Sequence, residues 1–148
     1  MDNAFDVTLR TAVYRHFADT GQSPSLDAMS EAIGATSEQV TDGYRRLYAK
    51  RMLVPADDFA SIRMAPPFSG LPTQHRATVN GKEYFANCAW DAFGVVAALG
   101  GTGDVLSRCE QTLEPLRLRL TPDGQPPSGW LFHCVVPAAD WWKDIVFT

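Results

Sequence analysis

The run His75–Gly101, HRATVNGKEYFANCAWDAFGVVAALGG, decides the fold class. HRATV and KEYFA are short segments of strand-forming residues on either side of Asn80–Gly81. An Asn-Gly pair tolerates two successive positive φ angles, so the spacing predicts a hairpin closed by a type I′ turn. The segment AWDAFGVVAAL follows directly and reads as a helix. Strand, turn, strand, helix is a mixed layout rather than an all-helical or all-β one.

The same logic extends to both sides. Downstream, DVLSRCE and LRLRLTPDG read as two further strands, and the alternation in LRLRL predicts one buried and one wet face. GWLFHCVVP reads as a fifth strand, its continuous apolar run typical of a central position. AADWWKDI reads as a last helical turn or two. Upstream, Pro66 and Pro67 exclude helix from MAPPFSG. Phe5, Leu9, Val13, Tyr14 and Phe17 recur at helical spacing and predict a first helix over 3–18. Ser25 can cap a second helix that stops at Gly34, and Thr36 or Ser37 a third, EQVTDGYRRLYAKRM. LVP then reads as a short strand. The expected architecture is α+β, with a winged-helix-like three-helix module over 1–60. A small mixed or antiparallel sheet domain over 61–148 bears the Cys-x-x-Asp helix.

That helix carries the chemistry. Cys88 stands at its predicted start and Asp91 three residues on, so both fall on one face with Cβ atoms about 5–6 Å apart. A thiol at a helix N-terminus feels the positive end of the dipole, which predicts a lowered pKa. A thiolate is a soft nucleophile and soft-metal ligand, and a partly buried carboxyl beside it can hold or deliver a proton. A plainer reading stands beside this one: free cysteine is often a small buried apolar residue, and an acid in the first turn often only complements the dipole. Cys109 and Cys134 lie alone in predicted strands, without the short spacing of a zinc site. His133 points to the opposite face from Cys134, and His75 reads as a pocket or loop residue.

Composition narrows the classes. The net charge is −4 over 148 residues, and residues 1–60 carry more acids than bases. Arg45, Arg46, Lys50 and Arg51 would line a recognition helix, but a nucleic-acid reader needs a basic footprint, so DNA is not an expected partner. No run of about 18 apolar residues is present, and the acidic start MDNAFDVTLR is not a secretory signal. The expectations are a cytoplasmic location, no membrane contact, and three cysteines kept as thiols.

These residues resemble a known family. YFANCAWDAFGVVAALG is similar to the signature segment of the organomercurial (alkylmercury) lyases, in which an aromatic-rich strand leads into a Cys-x-x-Asp helix. MAPPFSGLPTQHRATVNGKEYFANCAWDA resembles that family's approach to its catalytic helix, and VLSRCE its next, cysteine-bearing strand. The resemblance implies protonolysis of a carbon–mercury bond by two cysteine thiolates and one aspartate. On it, Cys88 is the first thiolate and the metal ligand, and Asp91 the proton-relaying carboxylate. Trp90, Phe68, His75 and Cys134 become candidate substrate-binding residues. The resemblance puts the second thiolate beyond the strand FHCVVP, near Thr148, where no cysteine stands; Cys134 can substitute only with a rearranged geometry. The implied protein takes a small-molecule substrate, with mercury as a possible soft metal, and needs no cofactor. The alternatives are a thiol-dependent metal-binding, small-molecule-binding or regulatory protein, or an enzyme of different substrate class on the same scaffold. Oligomeric state is not legible in the sequence.

Overall fold

The computed structural model describes residues 4–124 and 128–146. Three helices open the chain: α1 (Ala4–Thr20), α2 (Leu26–Ile33) and α3 (Ser37–Ala49). Ser25 caps α2 by accepting the Ala28 N–H, and Gly34 ends it in the left-handed conformation that glycine adopts without strain. Thr36 and Gln39 form a reciprocal capping box on α3. α1 runs two residues past its expected end, and α3 stops three short of Met52, where Arg51 takes a positive φ.

A three-stranded antiparallel sheet follows, in the order β1 (Val54–Pro55), β2 (Ile62–Ala65), β3 (Phe68–Ser69). The β2–β3 hairpin turns through the cis Pro66–Pro67 bond, and sequence reading had no strand here. Prolines suppress helix, but their place at the turn leaves the flanking residues free to pair. The second sheet is antiparallel in the order β5 (Lys82–Phe85), β4 (Arg76–Val79), β6 (Gly103–Arg108), β7 (Pro115–Leu120). Asn80 and Gly81 both have positive φ, as the type I′ hairpin demands. The fold is α+β, with helices first and antiparallel sheets after them.

Helix α4 (Ala89–Ala98) lies on the inner face of the second sheet. Its Ala92, Val95 and Val96 are buried with Ala77, Val79, Tyr84 and Val105. The same apolar cluster continues through Phe68, Ile62 and Leu53 to Leu9, Val13 and Phe17 of α1. At its centre Phe68 stacks on Phe17 at 5.5 Å between ring centroids, and meets Tyr84 at 5.8 Å and Tyr14 at 6.3 Å.

The expected fifth strand is absent: 130–134 adopt no regular structure. Leu131 is 91% and Val135 78% exposed. An apolar run cannot by periodicity alone specify strand, and no described strand pairs with this one. The Cys134 thiol instead donates locally to the Val136 carbonyl at 2.8 Å. The segment leads into a 3-10 helix (Ala138–Lys143) rather than α-helix. That turn is held by Trp141 Nε1 on the Val136 carbonyl (2.8 Å) and by Trp142 against Tyr48 of α3. Among the described residues no helix is long and apolar enough to cross a membrane.

Candidate functional site

Register determines where the thiol emerges. Arg76 opens β4 opposite Phe85, the last residue of β5, and opposite Leu106 near the end of β6. One end of the sheet therefore collects the exit of β5, the start of α4 and the β6–β7 turn. Cys88 lies there as the N-cap of α4, with extended backbone (φ −150°, ψ 179°). Its Sγ accepts the Asp91 N–H at 3.4 Å, the place a serine or aspartate oxygen takes in an ordinary cap. The pairing of Cys88 and Asp91 expected from their spacing is thus a cap interaction through the backbone.

The electrostatics correct the expected direction for the thiol. Burial pushes the Cys88 pKa up, and the neighbouring Asp91 carboxylate pushes it further. The N–H groups of Asp91 and Trp90 pull it down, but by less. The helix terminus acts as anticipated and is outweighed by desolvation and a like charge. Cys134 also raises the Cys88 value, so the exposed irregular segment brings a second sulfur into electrostatic reach of the first.

Asp91 is raised as well, by burial, against a lowering hydrogen bond from Asn87. Asn87 Nδ2 donates to Asp91 Oδ2 at 2.8 Å and to the Phe68 carbonyl of β3 at 3.2 Å. Sequence reading missed Asn87. Its only signal was an amide just ahead of the helix cap, where a side chain can reach back to the acid in the first turn.

The remaining candidates separate. Trp90 is 59% exposed, with its ring 5.5 Å from that of Phe132, which sequence reading also passed over. Phe68 is 3% exposed, and its ring lies in the aromatic core while its carbonyl faces Asn87. His75 turns Nδ1 to the Ser107 hydroxyl at 2.7 Å, with Nε2 3.6 Å from Glu110. Burial lowers its pKa; Glu110 raises it and Arg108 lowers it. Cys109 stands at the β6–β7 turn, where its sulfur accepts the Thr112 N–H and hydrogen bonds from Thr112 push its pKa down. The position near Thr148 anticipated for a second thiolate lies outside the described residues. No cluster of three His, Cys, Asp or Glu side chains suited to a metal occurs among the described residues.

Comparison with known proteins points to the alkylmercury lyases. The alkylmercury lyase (MerB) family model matches residues 68–148, from β3 through the Cys88–Asp91 helix onward. The alkylmercury lyases of Bacillus cereus and Clostridium butyricum are each 29% identical over 103 residues, 70% of this chain and 45% of theirs. That of Staphylococcus epidermidis is 40% identical over 53 residues. The chain therefore spans less than half the length of the curated relatives it matches. The crystal structure of the mercury-bound form of MerB2 superposes with a TM-score of 0.66 at 23% identity, covering 87% of this chain and 61% of that one, which establishes a shared fold. With a family model covering more than half of its residues, and the hairpin, the Cys-x-x-Asp helix and the following strands all inside the matched region, this chain belongs to the alkylmercury lyase family.

Proposed function

We propose that the protein cleaves a carbon–mercury bond by protonolysis, with Cys88 as the capturing thiol and Asp91 as the proton relay. The observation that carries this reading is the half-buried Cys88–Asp91 pair: the Cys88 sulfur caps α4, and an aspartate with a raised pKa sits one turn into the same helix. Family membership and the relatives' description as alkylmercury lyases support it.

The chemistry follows from the charges. While Asp91 is ionised, Cys88 holds its proton. An organomercurial R–Hg–X is soft enough to displace that proton, forming a Hg–S bond and releasing X⁻. The proton passes to the Asp91 carboxylate, whose raised pKa favours keeping it. A second thiolate on mercury raises the electron density on carbon. The Hg–C electron pair then takes the Asp91 proton, R–H leaves, and the mercuric ion stays on sulfur. Cys134 supplies that second sulfur in this reading, its thiol proton passing to solvent to balance the released X⁻, and its electrostatic influence on Cys88 supports this. Its exposed, irregular segment can adjust to mercury more readily than a strand could.

Residues 61–148 bear this chemistry, and residues 1–60 serve as its support. The cations of α3 favour packing over nucleic-acid reading. Arg46 and Lys50 hold the buried Asp6 at 2.8 and 3.0 Å, and Arg45 pairs with Asp42 while lying over the Phe59 ring.

The test is arene release from an aryl mercurial, with and without added thiol. Wild type should form a one-to-one adduct on Cys88 and release arene. Asp91→Asn should keep the adduct and lose turnover, since an amide accepts and donates hydrogen bonds but transfers no proton. Cys134→Ser should release arene slowly unless external thiol is added. Unchanged release from Asp91→Asn, or no adduct on Cys88, sinks the proposal.

A further inference from the structure

Asn87 belongs to neither the Cys-x-x-Asp pattern nor the core, yet it is the side chain bonded to the Asp91 carboxyl. Its orientation is fixed by chemistry. The Phe68 carbonyl can only accept, so the atom facing it at 3.2 Å is the amide NH₂ and not the amide oxygen. The same NH₂ lies 2.8 Å from Asp91 Oδ2, which must therefore be the accepting oxygen. In a neutral carboxylic acid the carbonyl oxygen is a stronger acceptor than the hydroxyl oxygen. The Asn87 bond to Oδ2 therefore favours placing the proton on Oδ1 when Asp91 is protonated. No other side-chain hydrogen bond to this carboxyl occurs among the described residues, so Oδ1 is the free one.

We propose that Asn87 is the positioning residue for proton delivery: it clamps Asp91 Oδ2 to strand β3 and leaves Oδ1 as the oxygen that takes up and releases the proton. The clamp spans two elements. Phe68 belongs to β3 and pairs with Ala86 across an isolated bridge, while Asp91 belongs to α4. One amide thus sets the rotamer of the acid against a rigid strand, using both of its N–H groups. The inference rests on the lyase reading for what the proton is used for, and on the geometry alone for where the proton sits.

Two consequences separate a positioning role from a merely structural one. The bond favours the ionised carboxylate, so its loss should raise the pH at which Asp91 titrates; a charge-assisted bond of ordinary strength corresponds to about one pH unit. A freed carboxyl rotamer should also slow proton delivery to carbon while leaving the final extent of thiol capture unchanged.

The experiment titrates Asp91 in the full chain by following its ¹³C-labelled carboxyl resonance in wild type, Asn87→Leu and Asn87→Asp. The expected result is an upward shift of about one unit in Asn87→Leu and a larger one in Asn87→Asp, where two carboxyls face each other. Asn87→Asp, being isosteric, carries the test if Asn87→Leu does not fold. With an aryl mercurial, both variants should still reach a full one-to-one Cys88 adduct and release arene about tenfold more slowly at neutral pH. A folded variant of either kind that titrates at the wild-type midpoint overturns the proposal. The titration involves no mercury, so a shifted midpoint in a protein that releases no arene sinks the lyase reading and upholds the clamp. Arene release with an unshifted midpoint does the reverse.

Discussion

Replacing Phe68 by alanine should cost more stability than an ordinary surface or ligand-contact substitution. The ring is buried and touches Phe17 of α1, Tyr84 of β5 and Tyr14 of α1, at centroid distances of 5.5, 5.8 and 6.3 Å. It is the point where the N-terminal helices, the first sheet and the second sheet meet. Truncating a buried phenylalanine to alanine costs about 3–5 kcal/mol, and each aromatic pair contributes about 0.5–1.5 kcal/mol beyond its area. The terms overlap, so the expected loss is about 4–5 kcal/mol, a large share of the roughly 5–15 kcal/mol that holds a typical domain. With a urea dependence of about 2 kcal/mol per molar, the unfolding midpoint should fall by about 2 M. Phe68→Leu keeps the apolar volume but loses the ring contacts and should cost about 1–2 kcal/mol. The assay is equilibrium urea unfolding followed by tryptophan fluorescence, with circular dichroism as a second probe. A loss below about 1 kcal/mol in Phe68→Ala would refute the core assignment. Weakened binding of an aryl mercurial with an unmoved midpoint would instead make Phe68 a substrate contact.

Two further substitutions test the helical module. Asp6 is 1% exposed, and although burial raises its pKa, the hydrogen bonds and charges of Arg46 and Lys50 outweigh this and leave it lowered. Asp6→Asn should therefore destabilise by about 1–3 kcal/mol at neutral pH, less than a fully buried pair because both cations are partly solvated. A lowered folded-state pKa means the contribution is complete above the ordinary aspartate value of 3.8 and is lost as pH falls through the lower folded value. Urea midpoints of the two proteins should differ at pH 7 and converge toward pH 2; a gap independent of pH contradicts the ion-pair account. Gly43 of α3 faces α1 so closely that an added Cβ would collide with the Leu9 side chain and crowd the Phe5 ring. Gly43→Ala should thus lower the melting temperature despite alanine's better helix propensity, a loss of about 1–3 kcal/mol, and a higher melting temperature would show that the two helices can move apart.

The features of the site that were legible beforehand rest on short-range geometry. Cys88 and Asp91 are one helical turn apart, so their meeting follows once the helix begins at residue 88 or 89. Asn87 carried a weaker signal of the same kind. It was missed because its second hydrogen bond goes to a carbonyl from β3, nineteen residues earlier and brought alongside by the Phe68–Ala86 bridge. The direction of the Cys88 shift was misjudged for a related reason. The dipole and N–H groups at a helix start can be read from sequence, but the desolvation that overrides them is set by everything packed above the thiol.

By itself, then, the sequence determined the interactions that close within a few residues. These are the caps at Ser25 and Thr36, the left-handed stop at Gly34, the Asn80–Gly81 turn and the shared face of Cys88 and Asp91. Each depends on side-chain and backbone preferences that act wherever the chain is. Tertiary structure alone decided that GWLFHCVVP forms no strand, that Pro66–Pro67 sits inside a hairpin, and that Phe68 joins the core while Trp90 stays half in water. It also brought Cys134 within electrostatic range of Cys88. Strand pairing, burial and charge coupling all require a partner from elsewhere in the chain, and an apolar run or a lone cysteine carries no record of which partner arrives.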